Sequence, residues 1–133
     1  PLARVASGGE LSRIALAVQV VATGGTRIPC LVFDEIDTGV GGGVAEIVGR
    51  RLRELGDERQ VLCVTHLPQV ASQGHHHVRV SKLTDGKTTR TTLTALGEDE
   101  TVEELARMLG GVEITATSRD HAREMLSRAR TGD

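Results

Sequence analysis

The chain has 133 residues, of which 38% are hydrophobic and 26% are charged, and its formal net charge is −2. These values are typical of one globular domain with a buried core, and they argue against a disordered chain or a membrane span. Phe33 is the only aromatic residue, so a module that stacks single-stranded nucleic acid on aromatic rings is not expected. The net charge also gives no overall basic surface, so any contact with DNA should be local or lie elsewhere.

The first half of the chain predicts alternating helices and strands. A first helix is indicated by apolar residues at helical spacing, namely Leu11, Ile14, Ala15, Val18 and Val21. Gly24-Gly25 ends it. Cys30–Phe33 and Val61–Val64 are short apolar runs typical of strands buried on both faces, and residues 44–55 predict a helix between them. This order predicts a right-handed parallel crossover, in which both strands end at the same edge of the sheet.

The second half of the chain shows a different pattern. Residues 78–82 and 89–95 alternate apolar and polar side chains around Asp85-Gly86, which predicts a β-hairpin. Two helices, over residues 100–109 and 118–130, are predicted to complete the chain. The expected fold class is therefore α/β, with parallel strands joined by a crossover helix, then a β-hairpin and C-terminal helices.

Ser7-Gly8-Gly9-Glu10 opens the first predicted helix. Ser7 and Glu10 have the spacing of a capping box, which would be a purely structural role. The two glycines weaken that reading, because each costs up to about 1 kcal/mol relative to Ala within a helix. Glycines at this position instead expose backbone N–H groups to a bulky anion at the positive helix terminus. Together with the motifs that follow, they favour a phosphate contact.

Polar residues follow both predicted strands of the crossover. Asp34, Glu35 and Asp37 come directly after the first strand, where adjacent carboxylates suit a ligand-binding edge better than a core. Phosphoryl transfer needs one carboxylate for Mg²⁺ and another to orient the attacking water, although an exposed acidic loop is the alternative. Thr65-His66 ends the second strand at the same edge. His66 is either a structural, hydrogen-bonded residue or a group that contacts a phosphate.

Two further patterns are set aside. Gly86-Lys87-Thr88 is similar to the end of a P-loop, but Ser81 stands where that loop needs an earlier glycine. His75-His76-His77 could ligate a metal only if their side chains converged. Successive strand residues point to opposite faces, so three in a row do not.

Four segments together resemble the RecN family of bacterial DNA-repair ATPases, which are relatives of the SMC proteins. They are residues 5–17, 33–39, 64–71 and 105–111. The resemblance implies that residues 1–133 are the C-terminal lobe of an ABC-type ATPase head. It further implies ATP and Mg²⁺ as cofactors, a second head as the partner in a homodimer, and no membrane partner. The full-length protein would act on DNA in double-strand break repair and recombination, in the bacterial cytoplasm and nucleoid.

The resemblance also implies a role for each candidate site residue. The Ser7–Glu10 segment would be the signature loop that contacts the γ-phosphate of ATP held by the second head. Asp34 would position Mg²⁺, directly or through a water, and Glu35 would be the general base on the hydrolytic water. His66 would be the switch histidine at the γ-phosphate.

The chain departs from the complete head of that family in several places. It has no Walker A or Q-loop sequence, so it is expected to be a piece of a longer protein, without the N-terminal lobe and coiled coil, and inactive alone. Gly41 stands where related ATPases carry a D-loop aspartate. Two other functions remain open. Leu67 and Asp37-Thr38-Gly39 argue against the nucleotide-binding subunit of an ABC transporter, and the intact acids and histidine argue against a non-catalytic dimerisation lobe.

Overall fold

The computed structural model describes residues 28–34, 39–110 and 113–132. In chain order, these residues form β1 (Cys30–Asp34), α1 (Gly42–Glu58), β2 (Gln60–Val64), α2 (Pro68–Ala71), β3 (His77–Thr84), β4 (Thr89–Leu96), α3 (Glu98–Gly110) and α4 (Ala116–Thr131). The helix predicted over residues 11–21 lies outside the described residues. The chain divides into two compact units, Pro1–Gln73 and Gly74–Asp133.

The first unit is built on a parallel pair of strands. β1 pairs with β2 from Cys30 opposite Gln60 to Asp34 opposite Val64, and α1 connects the two strands. This arrangement confirms the predicted parallel crossover. It also brings the carboxyl ends of both strands to one edge of the sheet.

The core of the first unit lies on one face of this sheet. Its buried members are Leu31, Phe33, Val40, Ala45, Val48, Leu52 and Val70. On the other face, Val32, Leu62 and Val64 are 61%, 52% and 57% exposed. The prediction that both faces are buried is therefore wrong for the described residues, because α1 covers one face and no described helix covers the other. Cys30 and Cys63 are half-buried, and no disulfide bond joins these two described residues.

Helix α1 lies close to α2 and the residues after it at Gly49. A Cβ atom on Gly49 would lie 2.8 Å from Cγ of Gln73 and 3.1 Å from both the carbonyl oxygen of Gln69 and Cα of Val70. The guanidinium of Arg53 donates a hydrogen bond of 2.7 Å to the carbonyl oxygen of Gln73. The missing side chain thus lets the segment that follows β2 pack directly on α1.

Replacing Gly49 with Leu is expected to lower the free energy of unfolding by about 1–3 kcal/mol, because the side chain must displace backbone as well as Gln73. Gly43→Leu is the matched control, since a Cβ on Gly43 meets no atom within 4 Å and Leu is the better helix former. Urea unfolding followed by far-UV circular dichroism measures the free energy of unfolding of both variants. An equal loss of this free energy in the two variants would contradict the close packing of α1 and α2.

The second unit begins with an antiparallel hairpin. β3 pairs with β4 from His77 opposite Leu96 to Thr84 opposite Thr89, which confirms the hairpin predicted around Asp85-Gly86. Because successive strand residues point to opposite faces, each face of the hairpin carries every second cross-strand pair.

Helices α3 and α4 follow the hairpin and pack on each other. Their contacts bury Leu105 and Ala106 of α3 and Ala122, Leu126 and Ala129 of α4. Both helices confirm the predicted pair, but each is slightly longer than predicted. α4 begins at Ala116 because Thr115 caps it, accepting the backbone N–H of Ser118 at 3.1 Å. None of the helices in the described part of the chain is both long and apolar enough to cross a membrane.

Candidate functional site

The candidate site lies at the carboxyl edge of the β1–β2 sheet. Asp34 is the last residue of β1 and pairs with Val64, the last residue of β2, which Thr65-His66 follow. Neighbouring strands lie about 4.8 Å apart, so the register brings Asp34 and the segment that leads to His66 to the same edge. The structure thus places Asp34 and the start of the His66 segment at one edge, as the crossover predicted. Their chemical roles stay predictions.

Asp34 is positioned by the residue before it. Phe33 is 1% exposed and packs in the core of the first unit. Because strand side chains alternate, Asp34 points to the opposite, open face, and it is exposed. Within the described residues the exposed Asp34 carboxylate forms no ion pair.

His66 lies at the exposed apex of a tight turn between β2 and α2. The hydroxyl of Thr65 accepts the backbone N–H of Leu67 at 3.0 Å. Leu67 packs against the core and Pro68, at the first position of α2, is buried. The turn is therefore anchored on both sides of His66, by β2 and by α2.

The sequence reasoning missed this anchoring. The strongest sequence signal for the start of α2 is Pro68, since proline is favoured at the first helical position. A hydroxyl two residues before a backbone N–H, as in Thr65 and Leu67, is a common turn pattern. A helix of four residues is too short for hydrophobic periodicity to indicate it.

The other candidate site residues belong to segments 1–27 and 35–38. Ser7, Gly8, Gly9, Glu10 and Glu35 lie outside the described residues, and their roles stay predictions from the sequence.

Gly41, which the resemblance predicts to stand where related ATPases carry a D-loop aspartate, directly precedes α1. Gly41 is the N-cap of α1 and has an extended backbone, with φ −160°. A Cβ at Gly41 would meet no atom within 4 Å. Packing within the described residues therefore leaves room for a carboxylate that this chain does not have.

The donor set at the edge fits Mg²⁺ better than a metal held by protein ligands alone. No three His, Cys, Asp or Glu side chains of residues 28–34, 39–110 and 113–132 are grouped to hold a metal, and this includes His75, His76 and His77. Mg²⁺ commonly takes one or two carboxylates and completes its shell with waters and phosphate oxygens. A single exposed carboxylate at a strand end suits such an ion when a nucleotide is bound with it.

Sequences of known proteins match nearly the whole chain. A DNA repair protein RecN of Haemophilus influenzae is 55% identical over 126 residues, and one of Xylella fastidiosa is 53% identical over 126 residues. A third, of Streptomyces coelicolor, is 50% identical over 130 residues. These alignments cover 95% of this chain in the first two cases and 98% in the third, and 23% of each relative. The chain therefore spans about a quarter of their length. No protein-family model matches it.

The fold is also found among solved structures. A structure from work on ATP-driven dimerization and DNA-stimulated activation of SMC ATPases superposes with a TM-score of 0.65, covering 77% of this chain and 61% of that chain. The sequence identity is 22%, so the likeness is one of fold. It confirms the predicted α/β fold class, because the chain shares the fold of that SMC ATPase structure.

Proposed function

Because the chain is homologous to the RecN DNA repair proteins along nearly its whole length, we propose that it forms the C-terminal lobe of the ATPase head in such a protein. The longer protein would bind and hydrolyse ATP with Mg²⁺ in the repair and recombination of DNA double-strand breaks, in the bacterial cytoplasm and nucleoid. The observation that carries this proposal is the β1–β2 register, which joins Asp34 and the His66 turn at one edge. Ligands bind at this edge in parallel α/β sheets.

Each residue at the edge would perform one task. Asp34 would hold Mg²⁺, directly or through a water, and the ion would neutralise charge on the phosphate oxygens. Glu35, the next residue, would accept the proton of the attacking water. His66 would donate a hydrogen bond to the γ-phosphate, where negative charge develops. The anchored turn described above would hold the His66 segment in place before ATP binds.

The Ser7–Glu10 segment would act on a second head. Its glycines expose backbone N–H groups to an anion, while the sequence contains no P-loop of its own to hold the phosphates. In the proposed homodimer, each ATP is therefore sandwiched between the P-loop of one head and the signature segment of the other. The N-terminal lobe of the longer protein and DNA would be the other partners.

Two alternatives are less well supported. Against the nucleotide-binding subunit of an ABC transporter, the relatives of 50–55% identity reported above are DNA repair proteins. A non-catalytic dimerisation lobe would not need an exposed carboxylate and an anchored histidine at one sheet edge.

The isolated 133-residue chain is expected to show no ATP turnover, because the lysine and backbone cradle of a P-loop are not in it. A phosphate-release assay on this chain and on the longer protein tests the proposal. We expect ATP hydrolysis only from the longer protein and none from the isolated chain. Turnover by the isolated chain that Glu35→Gln abolishes, or a longer protein without ATPase activity, would contradict it.

A further inference from the structure

The cationic side chains of the second unit differ in whether they have acidic partners. Six arginines form ion pairs: Arg79 and Arg107 with Glu104, Arg119 with Glu103, Arg123 with Asp120, Arg128 with Glu124, and Arg130 with Glu98. Lys82, Lys87 and Arg90 form no ion pair with any described residue. All three lie at the hairpin tip, which we define as residues 81–92. The unneutralised positive charge of this unit is therefore concentrated in one place.

The hairpin tip has one acidic residue, and its carboxylate is used by the turn. Asp85 accepts the backbone N–H groups of Thr88 at 2.7 Å and of Lys87 at 3.0 Å, and the Thr88 hydroxyl at 2.9 Å. The hydrogen bonds from Thr88 and Lys87 lower the pKa of Asp85. The Asp85 carboxylate thus stabilises the turn through hydrogen bonds and forms no ion pair with the neighbouring cations.

The three cations surround the end of the β-ribbon. Lys82 pairs with Thr91 across the hairpin, and Arg90 pairs with Leu83. Since successive strand residues point to opposite faces, Lys82 lies on one face and Arg90 on the other, while Lys87 lies in the turn. Every residue from Lys82 to Arg90 is exposed.

Hydroxyl groups accompany these charges. The tip carries the hydroxyls of Ser81, Thr91 and Thr92. It also carries those of Thr84 and Thr89, which hydrogen-bond each other at 3.2 Å, and of Thr88, which donates to Asp85. Hydroxyl and cationic side chains are the groups that contact DNA phosphates most often. A two-stranded β-ribbon also has the size that the major groove admits, and phosphates line both sides of that groove. Positive charge on both faces of the ribbon matches this arrangement.

We infer that the hairpin tip binds the phosphates of duplex DNA, through Lys82, Lys87 and Arg90. The contact is independent of base sequence, because it is made to phosphates. A single strand is the poorer ligand, since binding it without sequence preference relies on stacking on aromatic side chains. The chain has no Tyr or Trp, and its one Phe, Phe33, is 1% exposed. The choice of DNA over another polyanion rests on the proposed function.

The test compares two triple variants of the full-length protein that lose the same charge. The tip variant is Lys82→Ala/Lys87→Ala/Arg90→Ala, and the control is Arg107→Ala/Arg123→Ala/Arg128→Ala, whose arginines are exposed but ion-paired. Binding to a mixed-sequence duplex is measured by fluorescence anisotropy over a range of NaCl concentrations. The tip variant is expected to bind about tenfold or more weakly at low salt, and its slope of log K against log salt should shrink by about 2–3, at about 0.9 per phosphate contact.

The control triple variant is expected to keep the salt slope and the DNA affinity of the parent. The same result is expected for Lys82→Arg/Lys87→Arg, because this double variant preserves the charge. An unchanged slope in the tip variant, equal losses in both triple variants, or no duplex binding by the parent would overturn the inference. Polyglutamate is the competing ligand. If the tip variant loses polyglutamate binding but keeps DNA binding, the tip serves an acidic protein surface and the inference fails.

ATP turnover without DNA, measured on the same preparations, tests the proposed function separately. It is expected to be equal in the parent and both triple variants. A parent that binds duplex DNA through the tip but has no turnover would contradict the proposed ATPase and support the inference. A parent that hydrolyses ATP, together with a tip variant whose salt slope of DNA binding is unchanged, would support the proposed ATPase and contradict the inference.

Discussion

Replacing Glu35 with Gln in the full-length protein is expected to slow ATP hydrolysis by about 10²- to 10⁴-fold, because an amide cannot accept the proton of the attacking water. This loss corresponds to about 2.7–5.4 kcal/mol of activation free energy. ATP binding should persist, since the substitution leaves the phosphate cradle and Asp34 in place. Steady-state phosphate release and equilibrium binding of a fluorescent ATP analogue measure the two quantities.

Glu46→Gln is the matched control for this substitution. Glu46 lies on α1 in the same unit, is half exposed, and pairs with Arg50 at 3.6 Å. It is expected to leave hydrolysis unchanged. Asp34→Asn should act differently from Glu35→Gln and weaken the Mg²⁺-dependent part of ATP binding. If Glu35→Gln hydrolyses ATP at the rate of the parent, Glu35 is not the general base and the acidic pair has another role.

Replacing Ser7 with Arg is expected to abolish hydrolysis while each head still binds ATP. In the proposed dimer, the larger side chain would crowd the γ-phosphate of the opposite head, whereas the P-loop of its own head is untouched. If the Ser7–Glu10 segment were only a helix start, the change would cost about 0.5–2 kcal/mol of stability and spare hydrolysis. Phosphate release and nucleotide binding distinguish the two outcomes.

Ser127→Arg is a control for the added bulk and charge. Ser127 is exposed on α4 of the second unit, and its replacement is expected to leave hydrolysis at the parental rate. Equal hydrolysis by Ser7→Arg and Ser127→Arg would contradict a phosphate contact at Ser7.

The parts of the fold that depend on local rules could be predicted from the sequence. Asp85-Gly86 between two alternating runs indicated the hairpin, and two apolar runs flanking a helical segment indicated the parallel crossover. The ends of the helices were harder to predict. The capping by Thr115 that starts α4 depends on backbone geometry, and α2 needs Pro68 and its packing on α1 rather than any periodic pattern.

Other features depend on tertiary contacts and could not be predicted. An apolar run such as Cys30–Phe33 does not reveal how many layers cover it, and the described residues leave Val32 exposed. The candidate site was predictable to the extent that Asp34 and His66 follow strands that end together. The distribution of charge could not be predicted, because it depends on ion pairs between distant residues. Arg119, for example, pairs with Glu103, which is sixteen residues away. A net charge of −2 gives no sign of a cationic hairpin tip.

Sedimentation velocity with ATP and Mg²⁺ tests most directly the proposal that two heads enclose ATP. It compares the full-length Glu35→Gln protein, in which ATP persists, with the Ser7→Arg/Glu35→Gln double variant. The account predicts an ATP-dependent dimer for Glu35→Gln and monomers for the double variant, although both bind ATP. A double variant that dimerises as tightly as Glu35→Gln alone would contradict the contact between heads and the role assigned to Ser7, Gly8 and Gly9.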